Sequence, residues 1–200
     1  MRVGVLASGE GTNLQALLDT VHGGAVEIVA VASDQPGARA LERADGAGVA
    51  TRVFERGAFA DRPARDAAVA DWLEERDVGL VVLAGYMAIL DDAFLTRYAG
   101  RIVNVHPSLL PAFPGLHPHR QALGHGVKVA GATVHFVDEG TDTGPIVLQA
   151  AVPVRPDDTE TTLSERILAE EHRLYPEAVR LFAEGRLEIR GRQVHIRESS

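Results

Sequence analysis

Through the first half of the chain, short aliphatic runs alternate with amphipathic stretches of helical length. The runs cover residues 3–7, 28–32, 50–54, 80–84 and 102–105. Brief, almost wholly apolar runs of this kind suit strands of a parallel sheet, whose two faces are both covered by helices. The amphipathic stretches at 13–21, 38–47, 62–76 and 91–98 fall between them and read as crossover helices. Gly23 and Gly24 follow the first and Gly48 the second, where a glycine can take the left-handed conformation that ends a helix.

The second half is patterned differently. Two longer strand-like runs, 129–137 and 146–154, flank the polar stretch 138–144. Thr162-Leu163-Ser164-Glu165 has the spacing of a capping box and predicts the start of a long helix ending near Glu184, before Gly185. The tail 187–196 predicts a terminal hairpin turning at Gly191-Arg192. The whole pattern predicts an α/β fold. It is an open three-layer sandwich with a Rossmann-like, mostly parallel sheet and an antiparallel C-terminal part, built as a single domain over residues 1–200.

Composition narrows the choice of partners. With 200 residues, 46% hydrophobic and 24% charged, the chain has the balance of a globular protein with a substantial core. Its formal net charge is −8, and Lys128 is its single lysine. Such a surface repels duplex nucleic acid, so small molecules are the expected partners. There is no cysteine, which excludes disulfides, thiol nucleophiles and cysteine-based zinc sites. The opening apolar run is too short for a signal-peptide core or a membrane span, and the expected location is the cytoplasm.

Three places carry candidate chemistry. The first is the turn Ser8-Gly9-Glu10-Gly11-Thr12-Asn13 between a buried strand and a helix. Small residues let a ligand approach the backbone, and a helix N-terminus offers free N–H groups and a partial positive charge, which suits a phosphate monoester. A dinucleotide fingerprint would need glycine at Leu14, and no Gly-Lys-Ser/Thr is present for a nucleoside triphosphate loop. The plainer reading is a tight turn with Thr12 or Asn13 as the helix N-cap.

The second is the end of the fifth run, Asn104-Val105-His106-Pro107. Alternation puts Asn104 and His106 on one face, at the carboxyl end of a strand where open α/β sheets bind ligands. An amide donor beside an imidazole suits a carbonyl oxygen that develops negative charge. The pair lacks a carboxylate, and Asp138, Glu139 and Asp142 in the following polar loop are all candidates. The third is Glu171, which falls on the apolar stripe of the long helix. A carboxylate there needs a partner, either sugar hydroxyls or a buried arginine. Pro176 removes the hydrogen bond to the His172 carbonyl and predicts a kink. His117-Pro118-His119 has no helix-borne metal spacing, so no metal is expected. The roles of His117, His119 and His135 stay open.

Taken together, these residues resemble the folate-dependent phosphoribosylglycinamide formyltransferase family along nearly the whole chain. The resemblance is carried by Ser8-Gly-x-Gly-Thr-Asn13, Leu83-Ala-Gly-Tyr-Met87, Asn104-Val-His-Pro-Ser-Leu-Leu-Pro111, Pro114-Gly-Leu-His117, Asp142-Thr-Gly-Pro145 and Glu171-His172. It implies the formyltransferase fold, 10-formyltetrahydrofolate as formyl-donor cosubstrate and glycinamide ribonucleotide as acceptor. It implies Asn104, His106 and Asp142 as the catalytic trio, and Gly11, Thr12, Asn13 and Glu171 as contacts of the ribonucleotide. It places the folate against Arg62, Met87, Ala88, Ile89 and Leu90, and against Asn104, Asp138, Glu139, Gly140, Thr141 and Asp142. Ala88 stands where the family usually has arginine, which shifts the anchoring of the folate's glutamate tail toward Arg62. The resemblance leaves room for a homodimer. Related folate enzymes carry a further domain before or after this core, and the expectation here is the core alone.

Overall fold

In the computed structural model of the chain, residues 1–198 are described. They form two compact units, Met1–Val103 and one beginning at Asn104. Among the described residues are nine strands and six α-helices.

The first unit contains β1 (Arg2–Leu6), α1 (Thr12–Thr20), β2 (Glu27–Ser33), α2 (Arg39–Gly46), β3 (Ala50–Val53), α3 (Arg62–Glu74), β4 (Leu80–Leu83) and α4 (Asp92–Arg97). Its strands are all parallel, in the order β3-β2-β1-β4. Val3, Val5, Leu80, Val81 and Val82 are wholly buried, each removing apolar surface from water at a gain of about 1.5–3 kcal/mol. Gly4 lies close under α3: a Cβ there would come 2.7 Å from Leu73 Cδ2, which would have to shift. Asp61 accepts from the Ala64 N–H and Asp91 from the Phe94 N–H, each at 2.8 Å, so α3 and α4 start on side-chain caps.

The first helix starts otherwise than expected. Its N-cap is Gly11, left-handed at φ 69°, and no side chain caps it. A Cβ at Gly11 would sit 2.7 Å from Ala40 Cα. The close approach of α2 demands glycine there, which moves the helix start back to Thr12 and leaves its first N–H groups without a capping side chain.

β5 (Ile102–His106) leads into the second unit, which holds α5 (Pro118–His125), β6 (Val129–Phe136), β7 (Ile146–Pro153), α6 (Glu160–Ala183), β8 (Leu187–Arg190) and β9 (Gln193–Ile196). β6 and β7 are antiparallel, β7 and β9 parallel, and β8 and β9 form the expected antiparallel tail hairpin. The helix α5 goes beyond the sequence expectation; Pro118 opens it and Gly126, at φ 68°, closes it. The capping box of α6 is Thr159 with Thr162, not Thr162 with Glu165. The Thr162 N–H donates to Thr159 Oγ1 at 3.2 Å, and the Thr159 N–H to Thr162 Oγ1 at 3.0 Å. Pro176 is buried, and α6 is helical on both sides of it as far as Ala183. No helix among the described residues is long and apolar enough to cross a membrane.

Candidate active site

At the end of β5 the backbone leaves the strand and turns at once. The Ser108 N–H bonds the His106 carbonyl at 2.9 Å, and the Ser108 hydroxyl bonds the Ala112 carbonyl at 2.6 Å. The turn is fixed from β6 by the buried Thr133 hydroxyl. That hydroxyl donates to the Ser108 carbonyl at 2.7 Å and accepts from the Leu110 N–H at 3.1 Å and Gln149 Nε2 at 2.9 Å. One donor and two acceptor positions are thereby filled, the full capacity of a hydroxyl. His106, 5% exposed, is held on a rigid corner.

Both imidazole nitrogens of His106 have defined neighbours. Nε2 lies 2.9 Å from the Phe113 carbonyl oxygen, which can only accept, so Nε2 carries hydrogen. Nδ1 faces Asp142 Oδ2 at 3.4 Å. The same oxygen accepts the Gly115 N–H at 2.8 Å, and Oδ1 lies 3.6 Å from His135 Nε2. Burial pushes the Asp142 carboxyl upward. Hydrogen bonds from His135 and the Gly115 N–H, with the charges of His106 and His135, outweigh it and hold the group below the usual carboxylate range.

His135 is the residue that sequence reading left without a role. It is 2% exposed on β6. Its Nδ1 lies 2.8 Å from the Phe136 carbonyl and must donate there, so Nε2 accepts in the neutral ring and donates to Asp142 only in the imidazolium. That acceptor lies 3.2 Å from Asn104 Nδ2. With the His135 ring neutral, the amide group of Asn104 is oriented with one N–H on it. The signal was available: His135 interrupts a buried apolar run much as Asn104 and His106 do.

The loop 138–144 separates its three carboxylates. Asp138 Oδ1 is taken up inside the loop by the Gly140 N–H at 3.1 Å and the Thr143 hydroxyl at 2.6 Å. Glu139, Gly140 and Thr141 are exposed. Asp142 is the one set against the histidines, in the left-handed region at φ 54°. A Cβ at Gly144 would overlap the Phe136 carbonyl, and one at Gly140 the Thr143 hydroxyl, so the backbone passes close at both points. Glu171 lies on α6, 7% exposed. His119, on α5, is half-buried. Burial pushes its pKa down, Glu160 raises it and His106 lowers it further. His117 is exposed at the N-cap of α5.

The first unit holds the remaining candidates. Gly11, Thr12 and Asn13 form the entry to α1, as described above. Arg62 is exposed at the first position of α3. Met87 and Ile89 are 63% and 73% exposed, whereas Ala88 and Leu90 are each 8% exposed. Of the polar groups that hold this segment, the sequence pattern pointed to Ser8, as part of the glycine-rich turn, and not to Asp34, Arg56, Arg65 and Asp66. Among the described residues no group of three or more His, Asp or Glu side chains is arranged to hold a metal ion.

The formyl transferase family model matches residues 1–179. The phosphoribosylglycinamide formyltransferase of Escherichia coli is 44% identical over 94% of this chain and 90% of its own length. The chain belongs to the phosphoribosylglycinamide formyltransferase family. A family structure, glycinamide ribonucleotide transformylase 1 from Symbiobacterium toebii, is 57% identical and superposes with a TM-score of 0.97. That match covers 99% of this chain and 94% of the other. The expected α/β formyltransferase fold is therefore the fold observed. The trifunctional purine biosynthetic protein adenosine-3 of Drosophila melanogaster is 47% identical over 92% of the chain, which spans only 14% of that protein's length.

Proposed function

We propose that residues 1–200 work as one catalytic domain that transfers the formyl group of 10-formyltetrahydrofolate to the amine of glycinamide ribonucleotide, in the cytoplasm. The observation that carries this reading is the Asp142 carboxylate set 3.4 Å from His106 Nδ1, with Asn104 oriented beside them by His135. A carboxylate with no proton to lose, an imidazole and an amide N–H together suit addition of an amine to a carbonyl carbon.

With Nε2–H committed to Phe113, the working nitrogen of His106 is Nδ1. In its protonated form the ring presents Nδ1–H to the Asp142 oxygen 3.4 Å away. In the reaction the amine lone pair forms a bond to the formyl carbon while the carbonyl electron pair moves to oxygen. That oxyanion is held by the His106 Nδ1–H and the free N–H of Asn104. Asp142, directly or through one water, takes a proton from the new ammonium. A proton reaches the folate nitrogen as its bond to carbon breaks, and the carbonyl re-forms.

Binding roles follow the chemistry of the side chains. The N–H groups at the start of α1, around Gly11, Thr12 and Asn13, suit the phosphate. Glu171 suits the ribose hydroxyls. Arg62, Met87, Ala88, Ile89 and Leu90, with Asn104 and residues 138–142, are assigned to the folate. Support for these roles comes from the family resemblance of each position and, for Met87 and Ile89, from exposed apolar side chains on an irregular segment.

The test is an initial-rate assay of tetrahydrofolate formation with and without glycinamide ribonucleotide. Product that depends on the amine is expected. Product formed equally without it would mean hydrolysis of the donor, and none in either condition would sink the reading.

A further inference from the structure

Between β4 and α4 the chain has no regular structure, yet its main chain is unusually well tied down. Two anchors of similar design hold it. At one end, the Met87 N–H donates to the Ser8 hydroxyl at 2.8 Å, and that hydroxyl donates to Asp34 Oδ1 at 2.5 Å. Arg56 sits on the other Asp34 oxygen through Nε, at 3.2 Å, and reaches the Met87 carbonyl through Nη2 at 3.3 Å. At the other end, Arg65 donates to Asp66 Oδ1 through Nε at 2.7 Å and to the Ile89 carbonyl through Nη2 at 3.2 Å. Asp66 Oδ2 accepts the Asp91 N–H at 2.8 Å.

The side chains of both carboxylates are fully buried, and that of Arg65 is 4% exposed. Burying a charge is a poor route to stability, because desolvation offsets most of the attraction of its partner. Two buried carboxylates, one paired with a buried arginine and one with a half-exposed arginine, aimed at one short segment call for another purpose. Between the anchors the segment presents Met87 and Ile89 outward, 63% and 73% exposed, while Ala88 and Leu90 point inward. Tyr86 lies among the same charges. Arg65, Asp34, Asp66 and Arg56 all act on its hydroxyl, which burial pushes up to about 12. The result is a pair of apolar tips on a main chain whose carbonyls at 87 and 89 are fixed by guanidinium groups. A planar heteroaromatic ligand needs such a platform shaped beforehand, since ordering it on binding would weaken the complex.

We propose that Arg56 and Arg65, each seated on a buried carboxylate, are positioning residues that preshape residues 87–90 for the folate ring. The proposal rests on the reading of that segment as part of the folate site. Neither arginine is a catalytic residue: each acts through the backbone it holds. Lysine cannot replace either well, because a point charge lacks the fork that spans carboxylate and carbonyl together.

The test is steady-state kinetics of Arg56→Gln, Arg65→Gln and Arg65→Lys, with Ile89→Ala as the probe of the segment itself. Each arginine variant is expected to raise KM for 10-formyltetrahydrofolate about tenfold or more. KM for glycinamide ribonucleotide and kcat should stay within about threefold. Arg56 is 56% exposed, so Arg56→Gln keeps the test alive should the buried Arg65 variants fail to fold. An unchanged folate KM in Arg56→Gln, with a raised one in Ile89→Ala, would overturn the positioning role and leave the folate reading standing. An unchanged folate KM in Ile89→Ala as well would overturn both. A fall in kcat with equal rises in both KM values would mean general loss of structure, and would also count against the proposal.

Discussion

His106 and Asp142 meet through Nδ1 and Oδ2 at 3.4 Å, while the opposite nitrogen of the same ring is committed to the Phe113 carbonyl. The ring therefore has one orientation and one nitrogen that can work. A substitution at Asp142 acts on that nitrogen, and also on the Gly115 N–H and His135 that the same carboxylate meets.

Asp142→Asn isolates the charge. Asparagine tolerates the left-handed backbone at φ 54° and can still accept the Gly115 N–H. Turnover is expected to fall by about 10²–10⁴-fold, with little change in either KM. Activity within a few-fold of wild type, measured on folded protein, would remove the carboxylate from the chemistry.

The same carboxylate links stability to pH. Its folded pKa lies below the ordinary value, which in the unfolded chain is about 3.9. Between the two values the unfolded chain binds the proton more readily, so the group contributes stability above the unfolded pKa. That contribution is lost as pH falls through the folded one. Denaturant unfolding of wild type and Asp142→Asn should show a gap that is full near pH 7 and closes at strongly acidic pH. A gap that widened on acidification would contradict the assignment.

His135→Phe would remove the acceptor from Asn104 Nδ2 and the neighbour from Asp142 Oδ1. A buried polar group left without its partner costs about 1–3 kcal/mol. Turnover should drop roughly 5–100-fold if that cost is met by Asn104 turning away. His135→Gln, which keeps an acceptor, should recover part of the loss. Equal activity in both variants would show that the amide is oriented by something else.

Gly11→Ala tests the turn before α1. The residue is left-handed, and its new methyl group would press on Ala40, so a loss of about 1–3 kcal/mol is expected in thermal unfolding. KM for the ribonucleotide should rise while KM for the folate holds. A protein of normal stability with both constants unchanged would argue against the turn as a phosphate site.

What could be read from the sequence follows a physical division. The inner strands of the first unit, β1, β2 and β4, were legible because a buried parallel strand must be almost wholly apolar, whereas β3 is an edge strand with exposed residues. Asn104 and His106 stood out because they break that rule at a strand end. The start of α1 was misplaced because it depends on Ala40, distant in sequence, whose approach excludes a side chain at Gly11. Pattern alone left Asp138, Glu139 and Asp142 open: the Gly115 N–H and two imidazoles beside Asp142 come together only in the fold. Arg56 and Arg65 were invisible for a different reason. Arginines among charged neighbours look like solvated surface until their carboxylates prove buried.

The backbone contacts at Gly140 and Gly144 set how this loop can change. No side chain fits at 144 without displacing the chain beside Phe136, and one at 140 collides with Thr143. Since Asp142 lies between them, either replacement would carry the carboxylate away from His106. Variation is left to Glu139 and Thr141, which face solvent. The loop can be resurfaced, then, but its two pivots cannot be moved, and selection for a different ligand would have to begin at its outer tip.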